Sequence, residues 1–307
     1  MSVPYAKVIV NPVAGGCSVR RQWPQICKQL NNIGLSFDYE FTKGIGHATQ
    51  LARRAVEIGY PCLVVVGGDG TVNEVANGIL SSTRPASTIL GILSAGSACS
   101  FAHSMGIAKD LVGACSLLIG NRRAVIDVGV VQYHRRGQLQ KRFFVNVADV
   151  GFPTDVVDSW KRLPSRFGRR INHALRTVEG LRCLATHRNK TIKLHIDNDV
   201  ESILGCAMIM ANGQYFANGM QIAPHAIMND GLLDVLIVGD VSRYELLKIW
   251  PTLYNGNHIR HSKITERAAT TVMIESEEPL LVEADGVILG ESPASFWIIP
   301  SALNIVV

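Results

Sequence analysis

The chain has 307 residues, 47% hydrophobic and 18% charged, with a formal net charge of +5. That length accommodates two domains with substantial cores, and no apolar run approaches the ~20 residues of a membrane-spanning helix. Seven scattered cysteines without a C-x-x-C pair exclude a disulfide framework and a zinc site, and so small a positive charge does not by itself indicate nucleic acid.

The opening MSVPYAKVIV holds one basic residue and lacks the regions of a signal peptide, which predicts a chain that stays in the cytosol. AKVIVNP reads as a buried strand ending at Asn11-Pro12. Residues 23–33 read as a helix closed by Gly34, LSFDYEFT as a strand, and residues 48–59 as a helix with Leu51, Ala55 and Ile58 on one face. CLVVVGG is a β-branched run too short for a helix. TVNEVANGIL follows as a helix, TILGIL as a strand and residues 111–120 as a helix. Strands alternating with helices predict βαβ units on a parallel sheet, an α/β domain over residues 1–126.

The pattern changes at Asp127. VIDVGVVQYH, RFFVNVADVG, KTIKLHID, ILGCAMIMANG, GLLDVLIVG, TTVMIES, PLLVEADG and SFWIIPSALNIVV read as strands between Gly, Asp, Asn and Pro turns. They predict a mainly antiparallel β-sandwich over residues 127–307, whose C-terminal end is free to pack back on the first domain. Two helical insertions interrupt it. One, residues 161–190, carries nine Lys or Arg residues and one acid, Glu179; the other covers residues 242–255.

VVVGGDGTVNEVANGI, residues 64–79, is the strongest local signal. A buried strand enters Gly67-Gly68-Asp69-Gly70-Thr71, then a helix begins. The glycines allow close backbone approach, and the helix N-terminus offers unpaired N–H groups to phosphate. The lysine of a P-loop is missing.

This segment resembles the nucleotide loop of the diacylglycerol kinase catalytic-domain family, which includes bacterial lipid kinases and sphingosine and ceramide kinases. NAD kinases and phosphofructokinases carry related loops. Further segments are similar to that family in order along the chain: Asn11-Pro12-Val13-Ala14-Gly15-Gly16, Thr42 with Gly46-His47-Ala48, Asn212-Gly213-Gln214-Tyr215 through Asp230-Gly231-Leu232-Leu233-Asp234-Val235, and Asp285-Gly286. The D-G-L-L-D-V segment is absent from NAD kinases. The resemblance implies an NAD-kinase-like α/β domain joined to a sandwich, and transfer of phosphate from ATP, with Mg²⁺, to a lipid hydroxyl. It implies that Asn11, Thr42, Gly67, Gly68, Asp69, Gly70, Thr71, Val72, Asn73 and Ser97 line the ATP site. Asp69 acts near the phosphates, and Asp285 lies beside the lipid hydroxyl. Asp230, with the carbonyls of Ile227 and Leu232, holds a structural Mg²⁺, and Asp127 supports the phosphate-side network.

The chain departs from the family at three places. Ser94-Ala95-Gly96-Ser97-Ala98-Cys99-Ser100-Phe101-Ala102 stands where the family has P-A-G-T-x-N-D-F-A. An amide is thus replaced by Cys99 and a carboxylate by Ser100. The glutamate of D-G-E, often given as the proton acceptor, is Val287, which leaves Asp285, Glu283 or Glu291 for that role, or an inactive site. A non-catalytic lipid- or nucleotide-binding protein on the same fold is therefore the second reading, and a soluble-substrate kinase the third.

A lipid acceptor requires contact with a membrane from its cytosolic face. Residues 160–187 place Phe167, Ile171, Leu175, Val178 and Leu181 at helical spacing, with Arg166, Arg169, Arg170, His173 and Arg176 largely on the other face. Such a helix could lie on an anionic bilayer, or pack on the sandwich with its basic face in water. Nucleic acid is not an expected partner, and exposed sandwich edges admit a homodimer.

Overall fold

The computed structural model describes residues 5–85, 88–96, 98–107, 110–120, 122–163, 169–217 and 219–307. The N-terminal half runs β1 (Ala6–Val10), α1 (Ala14–Asn32), β2 (Phe37–Phe41), α2 (His47–Ile58), β3 (Cys62–Gly67), α3 (Asp69–Leu80), β4 (Ile89–Ser94), α4 (Ser100–Ser104) and α5 (Leu111–Ile119). Its strands pair in parallel in the order β4-β3-β1-β2. Alternation along β3 explains why that strand is apolar throughout. Leu63 and Val65 enter the core shared with α2 and α3, while Val64 and Val66 enter the core shared with α1 and α5.

The C-terminal half runs β5 (Arg123–Arg135), β6 (Gln138–Phe144), β7 (Val147–Gly151), α6 (Phe152–Arg162), α7 (Arg169–Thr186), β8 (Lys190–Ile196), β9 (Asp199–Gly205) and β10 (Ala207–Ala211). A small ribbon of β11 (Tyr215–Phe216) and β12 (Met220–Gln221) follows. The chain ends with β13 (Leu233–Val238), α8 (Arg243–Ile249), β14 (Ile264–Ala269), β15 (Thr271–Ser276), β16 (Leu281–Ala284) and β17 (Val287–Val306). These strands pair antiparallel and fold over a core that includes Phe144, Met208, Leu233, Ile274 and Phe296. The outer face of β10 and β13 is covered by α6 and α8. The mostly parallel α/β half and antiparallel sandwich are the architecture the pattern of elements predicts.

β17 makes the two halves one sheet. It runs antiparallel beside β5, and its last turn of register places Asn304 and Ile305 parallel to Ile89 and Leu90 of β4. Between these stretches the ladder shifts at residues 299–303, and Ser301 takes φ +50°.

Several elements differ from the sequence pattern. RFFVNVADVG is two strands, because the N–H groups of Val145, Asn146 and Val147 turn away to a side-chain acceptor. ILGCAMIMANG is also two. At Cys206 the N–H donates to Val238 and Gly239, and the chain leaves β8 for the ladder between β7 and β13. β14, whose sequence ITERAA is one-third charged, lies beside β13 with no apolar alternation to announce it.

Where β5 faces β6, Gly129 stands opposite Phe144, whose ring lies over the glycine. A Cβ at position 129 would fall 2.1 Å from that ring. Gly129→Ala should therefore destabilise the fold by roughly 1–3 kcal/mol through overpacking, read as a lower urea midpoint. A midpoint equivalent to a loss under about 0.5 kcal/mol would show that Phe144 can move aside.

Candidate active site

Glycines bring three loops into backbone contact. A Cβ on Gly96 would sit 2.5 Å from Gly68 Cα, and one on Gly15, at φ +58°, would sit 2.7 Å from the Ala95 carbonyl. The turns after β1, β3 and β4 therefore close on each other only without side chains at these positions. Asn11 Nδ2 donates to Thr71 Oγ1 at 2.9 Å, which locks the first turn to α3. α3 begins at Asp69 behind Gly68, which lacks a capping side chain; Thr71 and Val72 donate back to the Gly68 carbonyl, which leaves the N–H groups of Asp69 and Gly70 without an intrahelical partner. Asp69 Oδ1 accepts the Phe101 N–H at 3.0 Å and fixes α4 against α3.

Beside this junction lies a cavity of about 310 Å³. Asp69, Ser100 and Phe101 enter from the α/β half; Asn146, Glu283 and Asp285 enter from the sandwich. Its remaining wall is apolar, formed by Val145, Val147, Val157, Trp160 and Phe216, with Arg176 of α7 at the edge.

Asp285 holds the two halves of this cavity together. Its Oδ2 accepts Asn73 Nδ2 at 2.7 Å and Val145 N at 2.8 Å; its Oδ1 accepts Asn146 N at 3.0 Å and Val147 N at 3.1 Å. Burial pushes the carboxyl up, and the four donors oppose that rise by stabilising the ionised form. With four hydrogen bonds received, all lone-pair sites are occupied.

The other residues singled out from sequence divide into groups. Asn11, Gly67, Gly68, Asp69, Gly70 and Thr71 meet at the glycine junction. Val72 is core, and Asn73 is fully buried, its amide spent on Asp285 and Phe143 and its oxygen on Arg142, so neither side chain reaches a ligand at the junction. Thr42 is half-buried beyond β2, its N–H donating to Val10. Ser97 lies outside the described residues. Asp127 is buried away from the cavity: Oδ2 accepts Gly231 N at 2.6 Å and Oδ1 accepts Ser301 N at 2.7 Å. It thereby fixes the 227–232 turn on the β17 bend.

On that turn Asp230 and Ile227 are exposed, and Asp230 Oδ1 accepts Leu232 N at 3.0 Å. Burial, then the charges of Glu266 and Asp230, push neighbouring Asp234 up to about 6. No cluster of three His, Cys, Asp or Glu side chains occurs among the described residues. An Asp carboxylate with backbone carbonyls in a turn of excess negative charge is an oxygen donor set that suits a hard cation keeping several waters.

The sequence pattern passed over Asn146, Asp149 and Arg142, and offered Glu283 only as one substitute for the missing glutamate. The signal available for Asp149 was an acid inside an apolar strand, in VNVADVG. Asn146 Oδ1 accepts Ser104 Oγ, and a Cβ at Gly213 would lie 2.2 Å from that oxygen, which explains the Asn212-Gly213 step.

The chain matches the family models "Diacylglycerol kinase catalytic domain" over residues 5–131 and "YegS C-terminal NAD kinase beta sandwich-like domain" over residues 161–307. It is 28% identical over 291 residues to a diacylglycerol kinase of Staphylococcus haemolyticus, covering 95% of this chain and 84% of that protein. To a diacylglycerol kinase of Staphylococcus aureus it is 29% identical over 293 residues, covering 95% and 88%. A crystal structure of a diacylglycerol kinase from Bacillus anthracis str. Sterne shares the fold, with a TM-score of 0.73, 19% identity, and coverage of 100% of this chain and 97% of that one.

The saturation of Asp285 carries a stability consequence. Asp285→Asn turns an amide donor toward N–H groups and should destabilise the fold by roughly 1–3 kcal/mol or more, seen in urea denaturation. An unchanged midpoint would mean that the 145–147 bend does not depend on this carboxylate.

Proposed function

The chain belongs to the diacylglycerol kinase catalytic-domain family, and we propose that it transfers the γ-phosphoryl group of ATP to a membrane-lipid hydroxyl, on a diacylglycerol or related lipid. The observation that carries this reading is one cavity with two chemically different ends. One end meets the glycine junction and the start of α3, where phosphate oxygens can take backbone N–H groups. The other is apolar and suits acyl carbons.

Each group at the junction has a task in that reaction. Gly67, Gly68, Gly70 and Gly96 keep the backbone bare for close approach. Asn11 and Thr71 hold the floor rigid. Asp69, anchored through Phe101, presents a carboxylate between the phosphate end and the acceptor end. Magnesium at the phosphates would spread their charge, and Asp230 with the carbonyls of Ile227 and Leu232 would hold a separate, structural ion that cross-links the 227–232 turn.

α7 supports access from a bilayer. Val178 and Leu181 are 62% and 52% exposed, beside exposed Arg176 and Arg182. Apolar and cationic groups on one helix suit an anionic interface. Phe167 and Arg166 lie outside the described residues, as do the side chains of Arg169, Arg170, Ile171 and His173. Trp160 lies on α6, half-buried against α7: its Nε1 donates to the Arg176 carbonyl and its ring lines the cavity. No helix among the described residues is long and apolar enough to cross a membrane.

A non-catalytic binding protein on the same fold is the reading that Val287 and the saturated Asp285 favour if the cavity holds no other proton acceptor.

Radiolabelled ATP with mixed lipid vesicles and magnesium should give a labelled lipid, and Asp69→Asn should abolish the label while leaving the melting temperature within a few degrees. Near-wild-type turnover of that variant would remove Asp69 from the phosphate site. Asp230→Ala should lower melting temperature and activity together, with little rescue by high magnesium; an unchanged melting temperature would argue against a metal on that turn.

A further inference from the structure

Glu283 and Asp149 face each other across the ladder between β16 and β7. They are 2% and 0% exposed. Glu283 forms part of the cavity wall, close to Asp285 and opposite Asp69. Asp149 stands behind it. Its Oδ1 accepts the Thr154 hydroxyl of α6, while its buried Oδ2 has no donor in the surrounding protein, although the Glu283 carboxyl is within hydrogen-bonding reach. Two facing carboxyl oxygens can be satisfied only if one of them carries a proton. The pair therefore carries at least one proton between its facing oxygens.

Burial raises both carboxyls. Glu283 lies well above the usual range, raised further by the charge of Asp149, by the hydrogen bond with it and by the charge of Asp285, against the opposing Gly286 N–H. Other groups surround the pair: Thr154 and Asp155 on α6, Asp285 at the turn, Asp69 on α3 and Arg176 on α7 across the cavity. Apart from Asp69, whose Oδ1 is held by the Phe101 N–H, the other candidate acceptors are poorly placed. Asp285 has its lone pairs occupied, Val287 has none to offer, and Glu291 is exposed on β17 beside His134.

We propose that Glu283, backed by Asp149, accepts the proton of the lipid hydroxyl in place of the glutamate that the family carries at position 287; this rests on the lipid-kinase reading. As the hydroxyl oxygen bonds to the γ-phosphorus, the bridging bond to the β-phosphate breaks and ADP leaves with its electron pair. The hydroxyl proton passes to the cavity-facing oxygen of Glu283, and the shared proton settles on Asp149. The neutral pair then returns one proton to water. An isolated buried carboxylate would simply stay protonated, whereas a pair that shares one proton keeps an acceptor oxygen available and can titrate near working pH.

The test compares wild type with E283Q, D149N and E291Q in vesicle phosphorylation from pH 5 to 9, alongside thermal melts over the same range. Glutamine retains the shape and can donate to Asp149. E283Q should lose roughly 10²–10⁴-fold in kcat, with KM for nucleotide and lipid little changed and the ascending limb of the pH profile gone. D149N should lower kcat less and shift that limb, and E291Q should match wild type. Because these carboxyls hold protons to higher pH folded than unfolded, stability is full below the ordinary carboxyl range and falls as pH rises above it. That fall should be shallower in E283Q. Wild-type kcat and pH profile in E283Q would overturn the assignment while leaving the kinase reading intact. A wild-type chain that melts normally, binds ATP and labels no lipid would overturn the kinase reading itself, and the assignment with it.

Discussion

The Asp285 carboxylate is the interaction on which the site depends. Four donors converge on it, one from α3 and three successive backbone N–H groups from the bend between β6 and β7. Three neighbouring N–H groups cannot serve a strand ladder while they serve one side chain, so the bend exists because the carboxylate is there. The bend in turn aims Asn146 into the cavity and starts β7 in the register that places Asp149 against Glu283. A charge buried so deeply is tolerated because its hydrogen bonds replace water almost completely.

The same carboxylate explains how two domains of opposite architecture hold one cavity. Asn73 carries the link into α3, whose first residue, Asp69, lines the cavity one turn away. Asn73 also meets Arg142 and the Phe143 carbonyl, so α3 is bound to β6 along its length. Asp127 performs a parallel task at the other side of the fold, tying the 227–232 turn to the β17 bend. These two buried aspartates, with β17 crossing from sandwich to parallel sheet, make the interface polar and specific rather than a simple apolar contact.

Much of this was legible from the sequence, for identifiable reasons. β3 and α3 declare themselves because a strand buried on both faces is uninterrupted in Val and Leu, and the glycines after it mark where backbones touch. The α/β and sandwich halves follow from the change of period near Asp127. What local pattern cannot carry is where a side chain spends its hydrogen bonds. Asn73 sits in the nucleotide-loop motif yet points to Asp285, a partner 212 positions away. RFFVNVADVG looks like one strand because the acceptor that breaks it lies in another part of the chain. Asp149 and Glu283 stand inside apolar strands, but that they face each other is visible only once β7 and β16 pair.

The departures from the family pattern fall near the cavity. Ser100 lines it at the start of α4 with Cys99 just before, and Val287 follows the lining residues Asp285 and Gly286 but packs against the sandwich core. Cys99 takes φ +51°, a conformation that asparagine, the residue of the family pattern at this position, tolerates better than most residues. The close contact of Gly68 with Gly96, the Asn11–Thr71 bond and the four donors to Asp285 all remain. A site losing its purpose would have no reason to retain tight backbone contacts that admit no Cβ while changing only side chains around the acceptor end. The carboxylate lost at position 100 and the one lost at 287 are matched by two buried carboxyls, Asp149 and Glu283, behind the same wall. That arrangement puts the sandwich-side carboxyls on the facing strands β7 and β16 rather than on the residue after the Asp285-Gly286 turn.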